Sequence, residues 1–285
     1  GSDHAFLHTV SQPFHTTLVK KCRLLYDLCR NCTKLSIDTY KPALFKFLLE
    51  HDDYTHRWMS IPFPSNIHRS DDMTAPYPWH VSNTSEPRRY PTVFVGSLEV
   101  TATKARTLRA AIIQECRARP TECMLMELRS HSSNTDSRNS SSDRSPYTDG
   151  TFCLMPGGDY PTRKGVLDAL LVGCIPVTFQ RATAHRQWPW HWTTQSTADS
   201  CMHYVPMRQV VADPRAFFQE LVKLSRDESF VAAKRACIAR VGARMQYDLP
   251  GHSHAVRSRS TDAGEMDAVD VVLKNLLYEQ SSKKF

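Results

Sequence analysis

Between Met155 and Lys164 the chain reads PGGDYPTR, two adjacent glycines placed just ahead of a helix start. Glycine lets backbone N–H groups come close to a bound oxygen. A helix N-terminus adds unsatisfied N–H groups and the positive end of its dipole, so a phosphate fits there. Gly158 lies in this loop, and Thr162 and Arg163 open the helix, supplying a hydroxyl and a fixed cation where a diphosphate would sit. A plain glycine-rich turn with an exposed arginine is the alternative reading of the same residues.

Asp168 lies one turn into that helix among Val166, Leu167, Ala169, Leu170, Leu171 and Val172, which are apolar nearly all round. A carboxylate shielded by such neighbours needs partners, because burying an unpaired charge is costly. Lys164, four residues earlier, is the local candidate. A pair of ribose hydroxyls is the functional one, since a carboxylate accepts from both at once. Upstream, Lys104, Arg106 and Arg109 fall in the first two turns of another helix. Cations are mildly unfavourable at that end of the dipole unless an anion lies between them, and solvated surface charge is the other reading. His68, after IPFPSNI, is a candidate polar group at a cleft or a surface histidine. Asp52-Asp53 and Asp71-Asp72 lie in Pro- or His-rich stretches rather than after an apolar strand, so no metal site is expected. Neither HExxH nor GxSxG occurs.

These residues need a scaffold. PTVFVGS predicts a buried strand ending in Gly96, followed by a helix over 103–117 with Leu108, Ile112 and Cys116 on one stripe. Residues 151–155 predict a second strand, 164–172 a helix stopped by Gly173, and 174–179 a third strand, which implies a parallel pair. Asp213-Pro214 caps a helix through Leu224. Further helices are expected over 228–246 and 265–279. Ahead of this lie a strand-like piece at 33–37, an apolar helix near 44–49, and a Pro-rich crossover from Ile61 to Pro91. Ser-rich residues 130–145 read as a solvated loop. The alternation makes an α/β doubly wound domain, which binds ligands at the carboxyl ends of its strands.

The chain has 285 residues, 41% of them hydrophobic, enough for one large domain or two smaller ones. No apolar run approaches the ~20 residues that span a bilayer, so a membrane anchor is expected outside this chain. The formal charge of +7 is diffuse and suits an anionic ligand. Nucleic-acid binding is not expected, for want of an RNA-binding or zinc-finger motif. Nine cysteines leave at least one without an intramolecular disulfide partner. Cys29 and Cys32 have redox or metal spacing without a second pair nearby, so a loop or half of a disulfide is expected. Cys116 and Cys123 can bridge a helix to the following loop. Sequons at Asn31, Asn83 and Asn139 fit a secretory protein.

The stretch TFCLMPGGDYPTRKGVLDALLVGCIPVTF resembles the signature of exostosin-like enzymes, glycosyltransferase family 47. The likeness extends through IPFPSNIH, YPTVFVGS, RTLRAAIIQEC, WPWHW and EMDAVDVVL, over about three-quarters of the chain, and is greatest to plant xyloglucan galactosyltransferases. That branch has Asp at the position of Asp168, where many members carry Glu. Tyr160-Pro161 departs from the plant loop pattern.

The resemblance implies a GT-B architecture with a Rossmann-like C-terminal lobe and a partial N-terminal lobe. The corresponding divisions are 1–68 for the partial acceptor-side lobe and crossover, 69–260 for the nucleotide-sugar lobe, and 261–285 for a C-terminal helix packing back on the first. It implies inverting transfer from a UDP-sugar, galactose among the candidates, to a polysaccharide or glycan, with no cofactor or essential metal. Arg109 and Arg163 would hold the diphosphate, Gly158 and Thr162 would line it, and Asp168 would bind ribose. It also implies a type II protein of the Golgi lumen, serving cell-wall polysaccharide synthesis and assembling with other glycosyltransferases. The catalytic base is unassigned, with His68 the sole named candidate. A non-catalytic nucleotide- or glycan-binding subunit, or a fragment without full activity, is the competing expectation from the short N-terminal portion.

Overall fold

The structure, a computed structural model, describes residues 5–8, 33–37, 58–67, 78–79, 88–100, 102–128, 145–158, 162–181, 183, 187–247 and 266–282. Three short strands, β1 (Ala5–His8), β2 (Thr33–Ser36) and β3 (Trp58–Ser60), form a parallel sheet in that order. Five more form the main sheet: β4 (Tyr90–Gly96), β5 (Cys123–Glu127), β6 (Gly150–Met155), β7 (Ile175–Thr178) and β8 (His203–Tyr204). Their order is β5-β4-β6-β7-β8, all parallel, as expected of a doubly wound α/β lobe. Chain order reverses between β4 and β6, the switch point at which such sheets open a crevice for ligands.

The helices are α1 (Thr103–Ala118), α2 (Lys164–Leu171), α3 (Gln195–Cys201), α4 (Met207–Ala212), α5 (Pro214–Ser225), α6 (Glu228–Met245) and α7 (Ala268–Ser282). Helix α1 packs with α4 and α5, while α6 packs with α2, α3 and α5. Every residue of β6 and β7 is buried, which fits strands covered on both faces. Asp213 caps α5 by accepting from Ala216 N at 2.9 Å, and Pro214 takes its first position. Gly173, with φ of 67°, ends the α2 segment as the sequence predicts. The strands β1, β3, β5 and β8 and the helices α3 and α4 are additions to the expected set.

The side of α2 on which the site lies follows from strand alternation. Cys123 on β5 is joined to Cys116 on α1, the helix-to-loop bridge anticipated from the spacing, so it faces α1. Met124 and Met126, and their register partners Val93 and Val95 on β4, therefore face the other way, toward the α2 side. Two further disulfides, Cys153–Cys174 and Cys201–Cys237, join β6 to the start of β7 and α3 to α6.

Residues 61–67 of the crossover lie against the end of α6. Gln246 Nε2 donates to Ile67 O at 2.6 Å and Tyr247 Oη to Pro62 O at 2.8 Å. Val272 of α7 is buried in a small cluster with Leu35, Ile37 and Ile61. The WPWHW run ties α6 to α7: Arg244 donates to the carbonyls of Trp190 and His191, and His191 Nε2–H donates to Ala268 O at 3.2 Å. His68, Cys29, Cys32 and the three sequon asparagines lie outside the described residues.

Candidate functional site

Arg109 leaves α1 on the far face of the sheet and reaches around the carboxyl end of β4. It is 3% exposed. Its Nε donates to Gly157 O at 3.0 Å and its guanidinium also to Ser97 O, so one side chain joins the loops that follow β4 and β6. Gly96 makes room for this path, since a Cβ there would lie 2.9 Å from the Phe94 ring and 3.3 Å from an Arg109 nitrogen. Lys104 and Arg106 do not join it. Lys104 is exposed, and Arg106 donates to Val100 O at 2.8 and 3.1 Å, closing the turn before α1.

Arg163 occupies the N-cap position of α2 without a side-chain cap. Gln187 fixes the backbone of this residue: with its amide turned to satisfy both ends, its oxygen accepts from Arg163 N at 3.0 Å and its nitrogen donates to Thr183 O at 3.0 Å. The Arg163 guanidinium is half-buried and donates no hydrogen bond among the described residues. Burial lowers its pKa from the usual arginine value, opposed by Tyr147. Above Gly158 the two arginines converge, for a Cβ on that glycine would lie 3.6 Å from an Arg163 nitrogen and 3.7 Å from an Arg109 nitrogen. Two guanidiniums held beside one loop and one helix N-terminus are chemically suited to a dianion.

Asp168 faces the same space from the next turn of α2. Lys164 Nζ donates to its two oxygens at 2.8 and 2.7 Å, the local pairing foreseen from the sequence. Ser65 Oγ, 103 residues away on the crossover, donates to Oδ1 at 2.9 Å. The carboxylate side chain is 17% exposed and that of Lys164 45%. This exposed lysine can swing away, which leaves lone pairs of the acid for a ligand's hydroxyls.

A cleft of about 1150 Å³ joins these groups. Arg109, Arg163, Lys164 and Asp168 line it, with Val95, Met124 and Met126 on the sheet face and Asn66 and Ile67 from the crossover. Its size is that of a cofactor or drug-sized ligand site. Of the five donor-site residues expected from the sequence, three line the cleft. Gly158 sits beside it under both arginines, and Thr162 is buried at 7% exposure outside the lining. Ser65, Gln187 and Tyr147 are site residues that the sequence reading does not single out. For Tyr147 a signal existed in Gly165, a glycine in the first turn of a helix, where it costs about 1 kcal/mol unless something must come close.

Comparison with known proteins matches residues 1–196 to the Exostosin GT47 domain. The chain is 25% identical over 231 residues to a Probable xyloglucan galactosyltransferase (GT15) of Arabidopsis thaliana, covering 80% of this chain and 46% of that protein. It is 31% identical over 148 residues to the Xyloglucan-specific galacturonosyltransferase 1 of Arabidopsis thaliana, covering 51% of this chain and 21% of that protein. The matched regions are thus less than half the length of these relatives. Among solved structures it is similar to TarM, with a TM-score of 0.39 and 8% identity over 83% of this chain and 46% of that one.

Proposed function

The chain belongs to the exostosin GT47 family, and we propose on that premise that it is a glycosyltransferase moving a sugar from a UDP-sugar to a glycan acceptor with inversion of the anomeric centre. The observation that carries this reading is the meeting of Arg109 and Arg163 above Gly158, at the switch point of the main sheet. A UDP diphosphate placed there meets two cations and the N-terminus of α2. Asp168, one turn on, accepts from the ribose hydroxyls.

In the reaction the acceptor hydroxyl attacks the anomeric carbon from the face opposite the diphosphate and gives up its proton to a base. The bond from that carbon to the diphosphate oxygen breaks, and UDP leaves with the electron pair. Negative charge grows on the departing diphosphate, and the guanidiniums stabilise it without reorganising. In this reading they do so without an essential metal. The base is a carboxylate or histidine not yet assigned.

The relatives are named for galactosyl and galacturonosyl transfer to xyloglucan, which supports galactose as the sugar and a wall polysaccharide as the acceptor. Three disulfides fit an oxidising compartment and support a luminal Golgi site. The test is UDP release from UDP-galactose with xyloglucan oligosaccharides. Acceptor-dependent release that Asp168→Ala lowers is expected. UDP binding without turnover on any UDP-hexose would point instead to a binding subunit.

A further inference from the structure

Tyr147 carries a hydroxyl that the packing does not use. The residue belongs to a single 3-10 turn, Pro146–Asp149, just before β6. Arg88 fixes this turn from the crossover: it donates to Tyr147 O at 3.1 Å, to Thr148 O, and to Val172 O, at the end of α2, at 2.5 Å. With its backbone tied to one end of α2, the side chain reaches the other. A Cβ on Gly165, the second residue of α2, would lie 2.7 Å from the phenol oxygen. The absence of a side chain at 165 is what admits the hydroxyl to the start of the helix.

The residue is 7% exposed and lines the cleft, and its hydroxyl makes no hydrogen bond among the described residues. A hydroxyl at the wall of a cleft, on a side chain otherwise buried and with no protein partner among those residues to satisfy, is free to donate to a bound ligand. Burial pushes its pKa up to about 12, opposed by Arg163 and Arg109 and reinforced by Asp168, so it remains a donor. The charges that act on it are those of the donor site.

We infer that Tyr147 is a further binding residue of that site, its hydroxyl donating to a diphosphate oxygen of the nucleotide sugar beside the Arg163 guanidinium. This inference rests on the donor-site reading above. Tyr147→Phe keeps the ring and removes only the oxygen. UDP affinity measured by calorimetry is expected to fall roughly tenfold or more, the range for a hydrogen bond to a charged group. The unfolding temperature without ligand and the weak binding of uridine, which has no phosphate, are expected to hold. Adding Gly165→Ser to Tyr147→Phe offers a hydroxyl from the helix side into the vacated space and is expected to recover part of the loss.

If Arg163→Met weakens UDP binding and Tyr147→Phe does not, the role of Tyr147 is overturned while the donor site stands. Equal losses for UDP and uridine overturn it too, by placing the hydroxyl on the nucleoside. A wild-type chain that binds no UDP overturns both.

Discussion

Two arginines that share one task in the proposed reaction differ in what they do for the fold, and substitution should separate them. Arg109 satisfies Gly157 O and Ser97 O from a buried position. Arg109→Met leaves two carbonyls without that donor, at about 1–3 kcal/mol each, so a loss of about 2–6 kcal/mol is expected. In a domain of this size 1 kcal/mol shifts Tm by about 2–4 °C, so Tm should drop by roughly 5–20 °C. The Arg163 guanidinium holds no carbonyl among the described residues, and its charge is kept at a desolvation cost. Arg163→Met therefore leaves nothing orphaned, and Tm without ligand should stay level or rise. Both variants should lose UDP affinity by roughly tenfold to a hundredfold. Differential scanning fluorimetry without nucleotide, paired with UDP calorimetry, reads the two effects apart. The reasoning fails if Arg163→Met lowers Tm as far as Arg109→Met, or binds UDP as tightly as the wild type.

His191 predicts a pH dependence of stability. Burial, with Arg244 nearby, lowers its pKa to about 3, so the unfolded chain takes up the proton first as pH falls. Its contribution is complete above the ordinary value of about 6.5 and declines toward pH 3, with about 2 kcal/mol lost between pH 6.5 and 5. His191→Gln keeps a donor for Ala268 O and should flatten the fall of Tm over that range; an unchanged slope would count against the assignment. The Cys153–Cys174 bridge closes a separation of 21 residues around the loop and α2, so replacing both cysteines by alanine should cost about 3 kcal/mol in urea unfolding. An unchanged midpoint would show that the bridge does not constrain the unfolded chain.

The elements carrying chemistry were legible because their signals are local. The glycine pair, the helix stop at Gly173 and the Asp213-Pro214 cap each act within a few residues, and the Lys164–Asp168 pair lies one turn apart. What stayed hidden is set by packing across distance. Ser65 reaches Asp168 over 103 residues, and Tyr147 meets Gly165 at the start of α2 from the far end of β6. Strand β5, read CMLME, is too short and too rich in methionine to stand out by alternation, and β-sheet pairing with β4 decides its state. The pairings Cys153–Cys174 and Cys201–Cys237 follow from element placement, which counting cysteines does not supply.

The central claim is that the cleft between the β4 and β6 loops binds a uridine diphosphate. Titration calorimetry of the purified chain with UDP tests it directly. Saturable one-site binding, weakened separately by Arg163→Met and by Asp168→Ala in variants that remain folded at the assay temperature, is the predicted result. No binding of UDP by the folded wild-type chain, or binding that both substitutions leave untouched, would contradict it.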